Sequence, residues 1–194
     1  MSKRYRTIVA DPPWHYESWP DESTSPKAAT KSFRVVGEGQ TGKRRPLDYT
    51  TMTVAEIAGL CPDSADDAHL YLWTTNRYLR DSFVVAEAWG LRFGQVLIWA
   101  KTPRGIGPGG AFAQNAEFIL FCREGSPGQL ERVDSVWFNW KRSNTHSTKP
   151  EAFLDLVEQV SPGPYLELFA RRARFGWDYW GDESLQTVEL EAGG

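Results

Sequence analysis

The sequence predicts an α/β fold in which a mostly parallel sheet carries helices on both faces. Three observations carry that expectation. Apolar, β-branched or aromatic runs at 5–10, 69–73, 93–100, 118–122, 136–138 and 165–169 alternate with helical stretches through much of the chain, the pattern of strands joined by crossovers. Neither an internal repeat nor a composition shift marks a second unit, so 1–194 reads as a single domain. With 41% hydrophobic residues, the chain has enough apolar material for one core.

In chain order, the first strand ends where Asp11-Pro12-Pro13-Trp14 follows Ile8-Val9-Ala10. Proline cannot donate to a ladder, so pairing stops at Asp11. Neither Pro12 nor Pro13 has an N–H. The backbone there offers carbonyl oxygens, Asp11 adds a carboxylate and Trp14 adds a flat π-face. A planar ring bearing an amino group with two hydrogens to donate suits that set. The same four residues also suit a strand-terminating turn with a packed Trp. Residues 17–47 show no helical or strand period and form a loop long for a compact domain. From Lys27 to Arg45, six basic residues (Lys27, Lys31, Arg34, Lys43, Arg44, Arg45) stand against one acid, Glu38. This stretch reads either as a solvated surface loop or as a lid whose cations meet phosphates.

Thr53-Val54-Ala55-Glu56 is a capping box opening a short helix that Pro62 closes. The strand 69–73 follows, and Asn76 suits the cap of a helix with Leu79, Phe83 and Ala86 at helical spacing and Gly90 as its stop. After the strand 93–100, a glycine-rich turn at 105–110 leads to the strand 118–122. A short strand at 136–138 and a basic loop at 141–149 come next. Pro150 suits a helix's first turn, with Phe153, Leu154, Val157 and Val160 as the apolar face. Pro162-Gly163-Pro164 ends it before the strand 165–169. Ligands of such sheets bind beyond the carboxyl ends of strands, where Asp11 and Arg171 would both sit.

The net charge of -3 does not mark a nucleic-acid binder, although it averages over local patches. No N-terminal signal segment and no membrane-length apolar run is seen, so a soluble, cytoplasmic protein is expected. Cys61 and Cys122 have no metal-ligand spacing and read as reduced packing residues; no metal site is expected. Of the three histidines, His15 adjoins the tetrad, His69 opens a strand and His146 precedes Lys149. None is required as a base if the amine is held by acceptors alone. Trp73, Trp99 and Trp137 read as core.

Two later stretches add chemistry. His146-Ser147-Thr148-Lys149-Pro150 puts a lysine at a helix N-terminus, where its ammonium and backbone N–H groups suit a carboxylate. Glu167-Leu168-Phe169-Ala170-Arg171 ends a strand in an arginine. Asp182 and Glu183 follow the aromatic stretch 177–180, an arrangement suited to ribose hydroxyls. Each of these also suits plain surface charge.

In combination and in this order, these motifs resemble those of the adenine-N6 methyltransferases named for the methyltransferase-A seventy-kilodalton subunit. Asp11-Pro12-Pro13-Trp14 matches the family's catalytic tetrad, and Tyr49-Thr50-Thr51-Met52 is similar to its tyrosine-threonine-methionine signature. Leu72-Trp73-Thr74 and Ile98-Trp99-Ala100-Lys101 match central strands; 146–150 and 161–171 match late motifs. The resemblance implies a Rossmann-like methyltransferase fold in permuted order, with the catalytic strand ahead of the cofactor-binding strand, and S-adenosylmethionine as cofactor. It implies that Asp11 and Pro12 hold the target amine, that Pro13 and Trp14 complete the tetrad, and that Trp14 shapes the base pocket. Tyr49 would stack on the adenine, and Lys43, Arg44 and Arg45 would meet the nucleic-acid backbone. Lys149 and Asp11 would meet the cofactor's methionine portion, while Arg171, Asp182 and Glu183 line its ribose. Where relatives often carry an amide pair this chain has Asp182-Glu183, and where some carry His-Asn it has Ala173-Arg174. The acceptor expected is adenine in nucleic acid, DNA favoured over RNA because the small size resembles phage and bacterial members. The alternatives are an RNA adenine methyltransferase and a catalytically silent nucleic-acid-binding subunit. Pairing as a homodimer or with a related subunit is a family trait.

Overall fold

In a computed structural model of the chain, the described residues are 4–15, 51–101, 112, 114–141, 149–181 and 186–190. The run Tyr5–Ala10 forms β1. Thr7, Ile8, Val9 and Ala10 are all buried, as befits an interior strand covered on both faces. Around it lie β2 (Ser64–Thr74), β3 (Arg92–Ala100), β4 (Ala116–Glu124), β5 (Trp137–Phe138), β6 (Tyr165–Leu168) and β7 (Trp177–Trp180), in the order β5-β3-β4-β2-β1-β6-β7. β1 is parallel to β2 and β6, β6 to β7, and β3 to β5, whereas β4 is antiparallel to both β2 and β3. Among the described strands β4 alone is reversed. The sheet is therefore mixed but mostly parallel, consistent with a Rossmann-like methyltransferase fold.

Alternation along β1 and β2 divides the core. Ile8 pairs with Leu70 and Ala10 with Leu72. These face α1 (Val54–Gly59) and α2 (Leu79–Ala88), packing with Ile57, Val85 and Trp89. Val9 pairs with Tyr71; with Trp73 and Ile119 they face α3 (Glu151–Val160) and its Phe153, Leu154 and Val157. Helices thus cover both faces.

The capping box is real: Thr53 accepts from the Glu56 N–H, and the Glu56 carboxylate accepts from the Thr53 N–H. Several expectations need correction. Asn76 lies in a turn, and Tyr78 precedes α2 with no side-chain cap. Gly90, at φ 78, does turn the chain after α2. β2 begins at Ser64, ahead of the expected 69, because its polar head, where Ser64 pairs with Tyr5 of β1, has no hydrophobic signature to announce it. β6 stops at Leu168, since Phe169 takes a left-handed backbone at φ 62, uncommon for a non-glycine residue. Trp137 is 55% exposed, on a two-residue strand at the sheet edge, and is not core. Cys122 is buried as expected, but Cys61 is exposed; both are free thiols. No described helix is long and apolar enough to cross a membrane. The described residues contain no group of three or more potential metal ligands.

Candidate active site

β1 pairs with β2 on one flank and β6 on the other, and the chain turns from β1 toward β2. The crevice at the carboxyl ends of β1 and β6 is therefore a topological switch point, where open α/β sheets bind ligands. Asp11 stands there, its N–H still donating to the Leu168 carbonyl at 3.4 Å.

The tetrad folds into a tight, well-anchored turn. The Trp14 N–H donates to the Pro12 carbonyl at 2.9 Å, and the Met52 N–H donates to the Pro13 carbonyl at 2.9 Å. The carbonyls offered by the two prolines are thus each engaged once, with a second lone pair remaining. Trp14 is 4% exposed; its Nε1–H donates to the Trp73 carbonyl at 3.2 Å and its ring stacks on Tyr78 at 5.1 Å. The π-face expected to be open is covered on one side, and Trp14 props the turn from within. His15 is exposed and meets the Thr51 hydroxyl at 2.7 Å.

Lys149 binds Asp11 directly. Its Nζ lies 2.7 Å from each carboxylate oxygen, with the two side chains about one-fifth exposed. The same ammonium is 3.5 Å from Glu117, which also pairs with Lys101. Lys149 sits 5.0 Å over the Trp73 ring and Lys101 5.1 Å over Trp99, so the indoles supply negative faces to both cations. Burial would lower the Lys149 pKa, yet Asp11 and Glu117 outweigh it and the net shift is upward. Burial would raise the Glu117 pKa, yet Lys149 and Lys101 hold it below the usual range. The result is a row of alternating charges, Asp11–Lys149–Glu117–Lys101, whose two inner members are held ionised by their neighbours.

A pocket beside this row is bordered by Asp11, Trp73, Lys149, Glu167, Arg171 and Arg172. Arg172 pairs with Glu151 at 2.6 Å and donates to the Lys149 carbonyl at 3.3 Å, fixing the start of α3. Arg174 turns away to bind Asp155 and Glu158 of α3. The Glu167 side chain makes no hydrogen bond or ion pair among the described residues. Burial first, and then the nearby Asp11 charge, push its pKa up to about 7 against the opposing pull of Arg172. The Trp73 indole N–H is also buried without an acceptor among the described residues.

The structure thus brings Asp11, Lys149 and Arg171 together. Tyr49, Lys43, Arg44, Arg45, Asp182 and Glu183 lie outside the described residues. Glu117, Lys101 and Glu167 were missed as site residues. Glu117 reaches the carboxyl edge because β4 enters there, placing it opposite Trp99. Glu167 carried a readable signal, an acid between two leucines in a short buried strand.

A family model described as MT-A70 matches residues 5–183. The chain is 31% identical to the Type II methyltransferase M.MunI of a Mycoplasma species, over 93% of this chain and 78% of that protein. It is 27% identical to the N(6)-adenosine-methyltransferase MT-A70-like protein of Drosophila melanogaster, over 87% of this chain and 24% of that one. It is also 27% identical to the human N(6)-adenosine-methyltransferase catalytic subunit METTL3, over 87% and 26%. The chain therefore spans about a quarter of the length of these N(6)-adenosine-methyltransferases.

Proposed function

Because this chain belongs to the MT-A70 family, we propose that it transfers a methyl group from S-adenosylmethionine to the 6-amino nitrogen of adenine in DNA. The observation that carries the site assignment is the Asp11–Lys149 pair at the switch point. An adjacent carboxylate and ammonium match, sign for sign, the ammonium and carboxylate of the cofactor's methionine portion. The unpartnered Glu167 and the Trp73 N–H add an acceptor and a donor beside the same pocket. When bound, the cofactor supplies an electrophilic methyl on a sulfonium.

The residues of the chain then do the following. Lys149, now paired with Asp11, would hold the methionine carboxylate. Arg171, Asp182 and Glu183 hold the ribose. Asp11 and the spare lone pair of the Pro12 carbonyl accept the two hydrogens of the adenine amine. The nitrogen, otherwise flattened by delocalisation into the ring, is thereby freed to present its lone pair. The turn is held by Pro13 and Trp14, so these acceptors are fixed before the substrate arrives. Tyr49 stacks on the base, and Lys43, Arg44 and Arg45 meet phosphates. Extruding the base costs a few kcal/mol, which these contacts offset.

DNA is favoured because the match to the Type II methyltransferase extends over most of both chains. Labelled-methyl transfer to adenine in DNA tests the reading. Asp11→Ala should abolish it while the fold, followed by circular dichroism, is kept. Label entering RNA and not DNA would reverse the acceptor, and full activity in Asp11→Ala would remove the assignment.

A further inference from the structure

A second cavity lies toward the other end of the sheet, on the α3 face. It spans about 230 Å³ between β3, β4, the second half of α3 and residues 127–136. Gln95, Arg123, Gln129 and Glu131 along its rim are exposed, so it is a cleft open to solvent. The architecture holds it open. The Leu130 N–H donates to the Val160 carbonyl at 2.8 Å, and the Ile98 N–H donates to the Val136 carbonyl at 2.8 Å. These bonds pin residues 127–136 to the helix end on one side and to the sheet on the other.

The lining divides into an aromatic floor of mutually tilted rings and a polar rim. Phe121 packs against His69 at 4.9 Å and against Tyr71 at 5.0 Å. Ser161 engages one polar atom of each, meeting His69 Nδ1 at 2.8 Å and the Tyr71 hydroxyl at 2.8 Å. Further hydrogen-bonding capacity sits at the rim. The side chains of Gln95, Arg123, Gln129 and Glu131 border the cavity and make no hydrogen bond or ion pair among the described residues. Two amides offer donors and acceptors together, the guanidinium adds donors, and the carboxylate adds acceptors. The unpaired charges at the rim are one of each sign, so the chemistry favours a flat ligand edged by donors and acceptors over a simple anion. Glutamine amides and guanidinium groups pair in bidentate fashion with purine edges. The volume lies below the roughly 300 Å³ at which drug-sized sites begin, which suits a base or nucleoside.

We propose that this cavity is a second binding site, taking a purine-class base, distinct from the pocket at Asp11. His69 and Thr74 are five residues apart on β2, about 16 Å of strand, so one ring cannot occupy both places. The base comes either from a free nucleoside or from a nucleic-acid strand, and the two sources are separable. The site is independent of methyl transfer, and a binding assay without cofactor keeps the two readings apart.

Equilibrium dialysis with labelled adenosine, and separately with a short deoxyadenylate strand, tests it on the full chain. Gln95→Phe fills the cavity from an exposed strand position, Arg123→Ala removes donors, and Asp11→Ala disables the other pocket; thermal melting verifies that each is folded. The expected result is adenosine binding that persists in Asp11→Ala and weakens at least tenfold in Gln95→Phe and Arg123→Ala. Strand binding that weakens tenfold in those two variants, without adenosine binding, assigns the base to nucleic acid. Binding lost in Asp11→Ala and unchanged in folded Gln95→Phe overturns the proposal, as does insensitivity of both ligands to the two cavity variants.

Discussion

At the scale of single residues, Lys149 holds Asp11, and Glu117 in turn holds Lys149. Removing one member of a largely buried charge pair costs on the order of 3–5 kcal/mol, because the partner is left uncompensated. Lys149→Met should therefore lower the melting temperature and, by removing the proposed partner of the methionine carboxylate, weaken S-adenosylmethionine binding at least tenfold in calorimetry, whereas Lys149→Arg, which keeps the charge, should recover part of both losses. Equal binding by wild type and Lys149→Met would sink the role given to this ammonium. Asp11 and Lys149 were legible because they flank the end of β1 and the start of α3, where local sequence is informative, whereas Arg171 lies beyond the end of β6. Trp14 was only half legible: four letters gave both an open aromatic face and a packed one, and Tyr78 decided for packing. Lys101 and Glu117 were invisible for another reason. They join the site through strand pairing between distant segments, and a charge next to an apolar run looks the same whether it faces water or a lysine.

At the scale of elements, strand positions followed the apolar runs closely, but direction did not. Nothing in 118–122 says which end comes first, and the reversal of β4 emerges only from its pairing with β2 and β3. That reversal delivers the first residues of β4, and not its last, to the carboxyl edge. The helices were legible where capping chemistry is local, as at Thr53, and less so where the turn preceding α2 does the work without a side-chain cap. A further constraint sits where β6 and β7 leave the sheet. A Cβ on Gly181 would lie 2.7 Å from both the nitrogen and the carbonyl oxygen of Ala170, and backbone cannot yield as a flexible side chain would. Gly181→Ala should accordingly destabilise the protein by about 1–3 kcal/mol, read as a lower urea midpoint with unchanged slope. An unaltered midpoint would mean that the two exits are not packed as closely as described.

At the scale of the whole molecule, two buried groups set opposing pH responses. Glu167 is raised from 4.5 to about 7, so the folded protein holds that proton more tightly than the unfolded chain. Its contribution is full below pH 4.5 and is lost as pH rises to 7. His69 is lowered from 6.5 to about 4, chiefly by burial; its contribution is full above pH 6.5 and is lost as pH falls to 4. Between pH 4.5 and 6.5 the two slopes oppose each other. Thermal melts across that window should rise with pH in Glu167→Gln, fall with pH in His69→Gln, and be flatter in wild type than in either variant. Parallel curves for all three would refute the opposition. The chain of four side chains from Asp11 to Lys101 carries as many plus signs as minus signs. In the proposed reading, the zwitterionic methionine end of the methyl donor would exchange partners there without altering the balance of the row, while the sulfonium would bring one positive charge into the neighbouring pocket. Capture of the proposed methyl donor would then depend only weakly on ionic strength, whereas the proposed grip on a polyanionic strand would depend on it strongly.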